Sequence, residues 1–257
     1  MAMTSRTAVA GKVPTDPLRR TAMIAGGLYL LTFASSIPAR FVFLDPVLSD
    51  PDYIVGPGAD TRVLAGGMLD MVNALACIGT AVVLFRVVKR QNETLALGFV
   101  ASRVLEAAII AVGVVSLFAV VTLRQDLAGA GGADDSALVA VGASLVAVYE
   151  WTFVFGPNVL AAVNALLLGT LMYRSGLVPR AIPLIGLVAA PLLLASVTGV
   201  VFGTHDLDAG LHVLLAAPIF VWELSLGVYL VVKGFRPSPV TARTVPSAPQ
   251  DADMSLT

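Results

Sequence analysis

The chain has 257 residues, of which 57% are hydrophobic and only 13% are charged, with a formal net charge of −1. A soluble domain averages about 25% charged residues, so this composition excludes an ordinary soluble domain and predicts a multi-pass membrane protein. The basic residues stand near the ends of apolar segments rather than in a patch, so no nucleic-acid partner is predicted.

The first half of the chain predicts three membrane spans. Residues 1–20 are expected to form a cytoplasmic amino-terminal segment, and the apolar run of residues 21–43 is long enough to be the first span. That run exceeds the apolar core of a signal peptide, and no A-x-A cleavage site follows it. Residues 44–60, rich in proline and aspartate, predict a loop in water. The second and third spans are expected at residues 61–88 and 96–123.

The apolar segment of residues 137–174 is too long for one crossing, since it would measure about 57 Å as a single helix. We divide it near Tyr149 and Trp151. This division predicts a short helix at the outer membrane surface over residues 137–148 and a fourth span over residues 150–172.

The rest of the chain predicts two more spans, at residues 181–202 and 211–232. The tail of residues 237–257 is rich in Pro, Ser, Thr and Ala and is predicted to be disordered. Twelve of the sixteen Lys and Arg residues fall in the two terminal segments and in the two connections on the same side. The positive-inside bias therefore places both termini in the cytoplasm, and the fold class is an all-α, six-span membrane helix bundle.

Polar side chains inside the predicted spans define a candidate intramembrane site. A charge at a helix centre costs about 2.5–3.5 kcal/mol on insertion scales, so Arg103 is expected to pair with Glu106 on its own helix or with Glu223 across the bundle. The pair either locks the bundle together or forms part of a proton or ligand site. The site residues are Asp70, Asn73, Arg103, Glu106, Asn158, Asn164 and Glu223.

Asp70 differs from the other acids because no basic residue is expected at its depth in the second span. It shares a stripe of small and polar residues with Asn73 and Cys77, the single cysteine of the chain. We expect Asp70 either to be protonated, since burial disfavours the charged form, and hydrogen-bonded to Asn158 or Asn164 of the fourth span, or to act as a functional carboxylate.

Three further candidates, Glu150, Trp151 and His212, lie near the predicted outer surface. Trp151 suits the aromatic belt of a membrane protein, and a carboxylate at that level reaches water. His205 and His212 are the two histidines of the chain, and a lone histidine there is more often solvated than a metal ligand. The sequence therefore predicts no metal site and no cofactor.

Three functions are compatible with these residues. A non-catalytic membrane component is favoured, with the lipid bilayer, a membrane protein or a second copy as its partner. A small-solute or proton-coupled transporter would use the midplane carboxylates and proline-interrupted helices, although no three-plus-three repeat is found. An intramembrane metal-dependent hydrolase is less favoured, because HExxH or a comparable helical pair is absent. A serine hydrolase is less favoured still, because G-x-S-x-G is absent and no buried histidine is expected to face a serine.

Several stretches resemble a known family. They are WTFVFGPNVLAAVNALLLGTLMYRSGLVPR at residues 151–180, the following IPLIGLVAAPLLL, WELSLGVYLVVKGF at residues 222–235, and the earlier AMIAGGLYLLTF and SRVLEAAI. Together they are similar to the bacterial membrane family called domain of unknown function 4386, over about residues 20–235. The resemblance implies a compact bundle of about six helices in a bacterial inner membrane, and it implies no catalytic residues.

Overall fold

The computed structural model describes residues 17–127 and 135–242. Within these ranges the chain is helical and contains no strand. Two π-helical segments, Ala39–Phe43 and Val154–Leu160, interrupt the α-helices. The α-helices described are α1 (Pro17–Pro38), α2 (Asp45–Ser49), α3 (Asp60–Val88), α4 (Glu93–Leu127), α5 (Asp135–Phe153), α6 (Ala161–Ser175), α7 (Ala181–Val201), α8 (Gly210–Val232) and α9 (Pro239–Ala242).

The predicted all-α bundle with six crossings is confirmed. Within the described ranges, six helical segments are long and apolar enough to span a membrane, and the protein is a multi-pass membrane protein in contact with lipid. The segments are Pro17–Phe43, Asp60–Val88, Glu93–Asp126, Asp135–Ser175, Ala181–Val201 and Gly210–Val232.

The six segments form a closed ring. α1 packs against α3 and α8, α4 packs against α3 and α6, and α7 packs against α6 and α8. Successive crossings alternate in direction, so α1 begins and α8 ends at one face of the ring. We call this the terminal face, and we call the opposite face, which carries residues 44–59, the loop face.

The ring is filled differently in its two halves. Toward the terminal face a continuous apolar core includes the fully buried side chains of Phe99, Leu168 and Trp222. Toward the loop face the interior contains polar side chains and a cavity, which are described below. The polar groups therefore occupy the midplane and one half of the bundle.

Residues 44–59 form a packed cap on the loop face, not the loop in water that the sequence predicts. Val47 of α2 and Ile54 belong to one buried apolar cluster with Val120 of α4. The Tyr53 hydroxyl donates to Asp60 Oδ1 at 2.9 Å. Burial and this carboxylate raise the pKa of Tyr53 above its ordinary value, so the hydroxyl keeps the proton that it donates.

The predicted break near Tyr149 and Trp151 does not occur. The chain is helical without interruption from Asp135 to Ser175, over 41 residues, and the expected surface helix of residues 137–148 is the first part of this helix. It packs along α4, which is itself 35 residues long. Pro157 does not end the helix because the chain widens into a π-helical turn around it.

The tail also differs from the expectation in its first part. Residues 239–242 form α9, in which Val240 and Thr241 are buried against the terminal face. Because Val240 contributes apolar surface, this part of the tail packs on the bundle. Residues 1–16 and 243–257, where the sequence predicts a polar amino-terminal segment and disorder, lie outside the described residues.

α1 and α8 approach each other closely at Gly26 and Gly227. A Cβ atom placed on Gly26 would lie 2.6 Å from the carbonyl oxygen of Gly227 and 2.8 Å from the backbone nitrogen of Val231. Such backbone proximity is possible only between small residues. Gly27, the next residue, has open space around its Cβ position.

Candidate intramembrane site

Arg103 of α4 lies at the centre of a buried ion-pair cluster. Its Nη1 donates to Glu106 Oε2 at 3.1 Å, and its Nη2 donates to Glu223 Oε1 at 2.6 Å. Arg103 is 2% exposed and Glu106 is 4% exposed. The structure thus contains both ion pairs that the sequence left as alternatives, because the planar guanidinium presents two separate N–H edges.

The cluster joins five of the crossing segments. Arg103 Nη2 also donates to the hydroxyl of Tyr29 in α1 at 3.3 Å, and Nη1 lies 3.5 Å from Cys77 Sγ of α3. The amide of Asn164 in α6 donates to Glu106 Oε2 at 2.7 Å. Together with Glu223 of α8, these contacts connect α1, α3, α4 and α8 through one guanidinium, and α6 joins them through Glu106.

Asp70 has a different partner from the one expected. The hydroxyl of Tyr149 donates to Asp70 Oδ2 at 3.1 Å, and neither Asn158 nor Asn164 is hydrogen-bonded to this carboxylate in the part of the chain described. A cation is present at this depth as well, since Arg40 lies 5.9 Å from the centre of the Tyr149 ring.

Arg40 joins the end of the first span to α5. Its Nη2 lies 3.2 Å from Glu150 Oε2, and its guanidinium lies over the ring of Phe153 at 4.1 Å. The first π-helical segment, which follows Pro38, carries Arg40 on its first turn. Trp151 does not join this group, because it is 47% exposed and stacks on Phe155, as expected for a belt residue facing lipid.

A cavity of about 200 Å³ lies between these groups. Arg103 and Glu223 border it near the midplane, Asp70 borders its middle, and Arg40 and Tyr149 border it toward the loop face. Both π-helical segments contribute to its wall. π-Helical turns occur frequently at functional sites, and here two of them border one polar cavity.

The ion-pair cluster in and behind the cavity wall contains more carboxylates than cations, although the cavity itself is bordered by two of each, Asp70, Glu223, Arg40 and Arg103. Two guanidinium groups, those of Arg40 and Arg103, are paired with or lie near four carboxylates. The acids are Asp70, Glu106, Glu150 and Glu223. With every group ionised the cluster would hold two more negative charges than positive ones, a balance that favours the binding of protons or of a cation.

A second polar network lies between α7 and α8 near the loop face. Ser196 Oγ lies 3.1 Å from His205 Nε2 and 3.0 Å from His212 Nδ1. His212 Nε2 lies 3.3 Å from Asn158 Oδ1, while the Asn158 amide donates to Phe153 O. Asn158 Oδ1 is therefore an acceptor, so a neutral His212 carries its proton on Nε2 and accepts from Ser196 on Nδ1.

The expectation that no buried histidine faces a serine is therefore wrong. His212 is 4% exposed, and Ser196 is 2% exposed. The three helices that carry Ser196, His212 and Asn158 meet only after packing, and no spacing in the sequence connects them. Since Ser196 is enclosed on all sides, the contact is a packed hydrogen-bond network and not an exposed nucleophile.

Replacing Ser196 by alanine is expected to lower the free energy of unfolding by about 1–3 kcal/mol, because two imidazole nitrogens lose their shared partner in a buried position. Thermal unfolding of the purified full chain in detergent measures this change. The matched control is Thr198→Ala on the same helix, since the exposed Thr198 hydroxyl bonds only to its own helix at Leu194 O. Equal stability of the two variants would contradict a stabilising role of the network.

No group of three or more His, Cys, Asp or Glu side chains in the described ranges is arranged to hold a metal ion. The metal-dependent hydrolase considered from the sequence therefore has no candidate ligand set in that part of the chain.

Three residues of the site were missed by sequence reasoning. Arg40 lies in the apolar run IPARFVF, so the rule that singled out Arg103 could have found it. Tyr29 and Tyr149 gave no signal of their own, because tyrosine is common in membrane helices and their partners are distant in sequence.

The fold and the polar cluster define an integral membrane protein with six crossings and an intramembrane charged site. The chain belongs to the family described as domain of unknown function (DUF4386), whose model matches residues 24–234. This range includes the Arg103 cluster and the residues that border the cavity. Comparison with curated proteins and with solved structures found no match.

Proposed function

We propose that this chain is a non-catalytic component of a bacterial inner membrane, and that its cavity binds a small solute carrying a positive charge. The observation that carries this proposal is the position of Asp70, which borders a cavity of about 200 Å³ and forms no ion pair within the described residues, while both arginines of the wall are paired with other acids. Water occupies about 30 Å³ per molecule, so this volume accommodates a solute the size of a few waters, such as a small primary amine.

Asp70 is the carboxylate best placed to receive the cation. It borders the cavity, and the only hydrogen bond described for its carboxylate comes from the neutral hydroxyl of Tyr149. Glu106 and Glu223 are instead held by Arg103. In this proposal Arg103 fixes the floor of the cavity, and Asp70 provides the charge that attracts the solute.

The distribution of charge supports a cytoplasmic terminal face. Nine cations stand at this end of the described bundle against one acid, Glu93. The cations are Arg19, Arg20, Arg86, Lys89, Arg90, Arg174, Arg180, Lys233 and Arg236. By the positive-inside bias both termini are then cytoplasmic, and the cavity lies in the outer half of the membrane.

A small positively charged solute is expected to stabilise the protein only when residue 70 is an ionisable aspartate. Ethylammonium added to the purified full chain at ten times its dissociation constant should contribute about 1.4 kcal/mol and raise Tm by a few degrees. Ethanol serves as the neutral analogue. The rise should disappear in Asp70→Asn and persist in Asp206→Asn, which makes the same chemical change at an exposed position. An equal rise of Tm in Asp70→Asn and Asp206→Asn would contradict the proposal. So would a wild-type Tm that neither ethylammonium nor a second small amine, ethanolamine, raises.

Proton-coupled transport is the second candidate, and the two π-helical segments that border the cavity favour it, since interrupted helices form the binding sites of many transporters. Proteoliposomes that enclose a pH-sensitive dye distinguish the two functions. Proton flux driven by an ethylammonium gradient and lost in Asp70→Asn supports transport. Stabilisation by ethylammonium without flux supports a binding component.

A further inference from the structure

A second cavity, of about 760 Å³, lies at the terminal face. Its walls come from the start of α1, the end of α3, residues 233–238 and α9. Five cationic side chains line it, namely Arg19, Arg86, Arg90, Lys233 and Arg236.

These cations have no anionic partner in the described part of the chain. The ion pairs described there involve Arg40, Arg103 and Arg124, and no carboxylate borders this cavity. Five like charges around one space repel one another, so an anion in the cavity would relieve that repulsion.

The positive-inside bias explains why cations stand at this face but not why five of them surround one cavity. Lys89, Arg174 and Arg180 stand at the same face and do not line it. Lys89 and Arg180 instead lie near the rings of Phe85 and Tyr173. The convergence is thus a feature of the fold and not of the face as a whole.

Backbone contacts hold the cavity walls in place. Arg19 Nη2 donates to Val231 O at 2.7 Å, so it joins the start of α1 to the end of α8. The chain then turns at Gly234, whose φ of +76° favours glycine, and Arg236 N donates to Leu177 O at 2.8 Å. On the opposite side Arg90 Nη1 contacts Val240 O of α9 at 3.5 Å.

We propose that this cavity binds a phosphate-bearing anion, supplied either by the headgroup of an anionic phospholipid or by a soluble phosphate ester. Arginine side chains match phosphate oxygens with paired N–H donors, and basic pockets between membrane helices bind anionic headgroups. The volume lies within the range of small-molecule sites, so it accommodates a glycerophosphate group. The apolar side chains of Val87 and Phe235 lie beside the cations, as an amphipathic ligand requires.

The test compares two triple variants of the full-length protein that remove the same charge from the same face. The cavity variant carries Arg86→Gln, Arg90→Gln and Lys233→Gln, and the control carries Lys89→Gln, Arg174→Gln and Arg180→Gln. Arg19 is left intact because it caps α8. Binding of phosphatidylglycerol, with phosphatidylcholine as the zwitterionic reference, is measured by native mass spectrometry and by thermal unfolding in detergent. Glycerol 3-phosphate and inorganic phosphate are titrated against chloride at equal ionic strength.

The wild type and the control are expected to retain phosphatidylglycerol, and the cavity variant is expected to bind it roughly a hundredfold more weakly, at about fivefold for each cation removed. Stabilisation by the soluble phosphates without lipid retention assigns the site to a free phosphate ester. If the cavity variant and the control lost phosphatidylglycerol binding equally, the general surface charge would explain the binding, and the proposal would be overturned. Unchanged binding in the cavity variant, or no binding of any of the three probes by the wild type, would overturn it as well.

Discussion

Replacing Arg103 by alanine is expected to lower the free energy of unfolding by about 3–5 kcal/mol, the largest loss we expect from any single substitution in this chain. The substitution leaves Glu106 and Glu223 in the bundle interior without their shared cation. It also removes the donor to Tyr29 and thus the link from α4 to α1. Arg103→Lys should lose less stability than Arg103→Ala, because an ammonium keeps the positive charge. It should still be less stable than the wild type, because an ammonium cannot present two planar N–H edges.

Reversible unfolding of the full chain in mixed micelles, followed by circular dichroism, measures this loss. The triple variant Arg103→Met, Glu106→Gln, Glu223→Gln is expected to recover most of the stability, because a buried ion pair replaced as a whole by neutral groups is often tolerated. Arg62→Ala is the control, since Arg62 is exposed and bonds to the carbonyl oxygen of Val42. An Arg103→Ala variant as stable as the Arg62→Ala variant would show that the cluster does not hold the bundle.

Replacing Gly26 by alanine is expected to destabilise the protein by about 1–3 kcal/mol, through overpacking at the crossing of α1 and α8. The added methyl group would overlap the backbone of Gly227 and Val231, and backbone atoms cannot move aside as the end of a flexible side chain can. The helices must therefore separate, which weakens their packing along its whole length.

The neighbouring substitution Gly27→Ala provides the matched control. It adds the same methyl group one position away, where nothing lies within 4 Å, and it improves helix propensity. We expect Gly27→Ala to be neutral or slightly stabilising in the same unfolding measurement. If both variants lost the same stability, the close approach of α1 and α8 would not be the cause.

The six crossings could be predicted from the sequence because the length of an apolar run is a local property. The continuous helix of residues 135–175 could not be predicted in this way. The run is too long for one crossing, so the sequence predicts a break near Tyr149 and Trp151. The structure instead absorbs Pro157 in a π-helical turn and packs the extra length along α4, and this outcome depends on a neighbouring helix.

The centre of the candidate site followed from the same local logic. A charge inside an apolar run needs a partner, and Glu106 and Glu223 are acids inside the spans, so each was predicted as one of two alternative partners of Arg103. The hydrogen bond from Tyr149 to Asp70 was not predicted, because tyrosine carries no charge that would single it out in the sequence. The network around Ser196 depends on how three helices meet, which single-helix periodicity does not predict.

The position of Cys77 makes the natural sequence convenient for chemical labelling. It is the single cysteine of the chain, and its thiol lies buried beside the guanidinium of Arg103 at the wall of the smaller cavity. Cysteines introduced at exposed positions can therefore be modified by water-soluble maleimides without first removing the native thiol. Because Cys77 lines the smaller cavity, its rate of alkylation by a small reagent reports how accessible that space is.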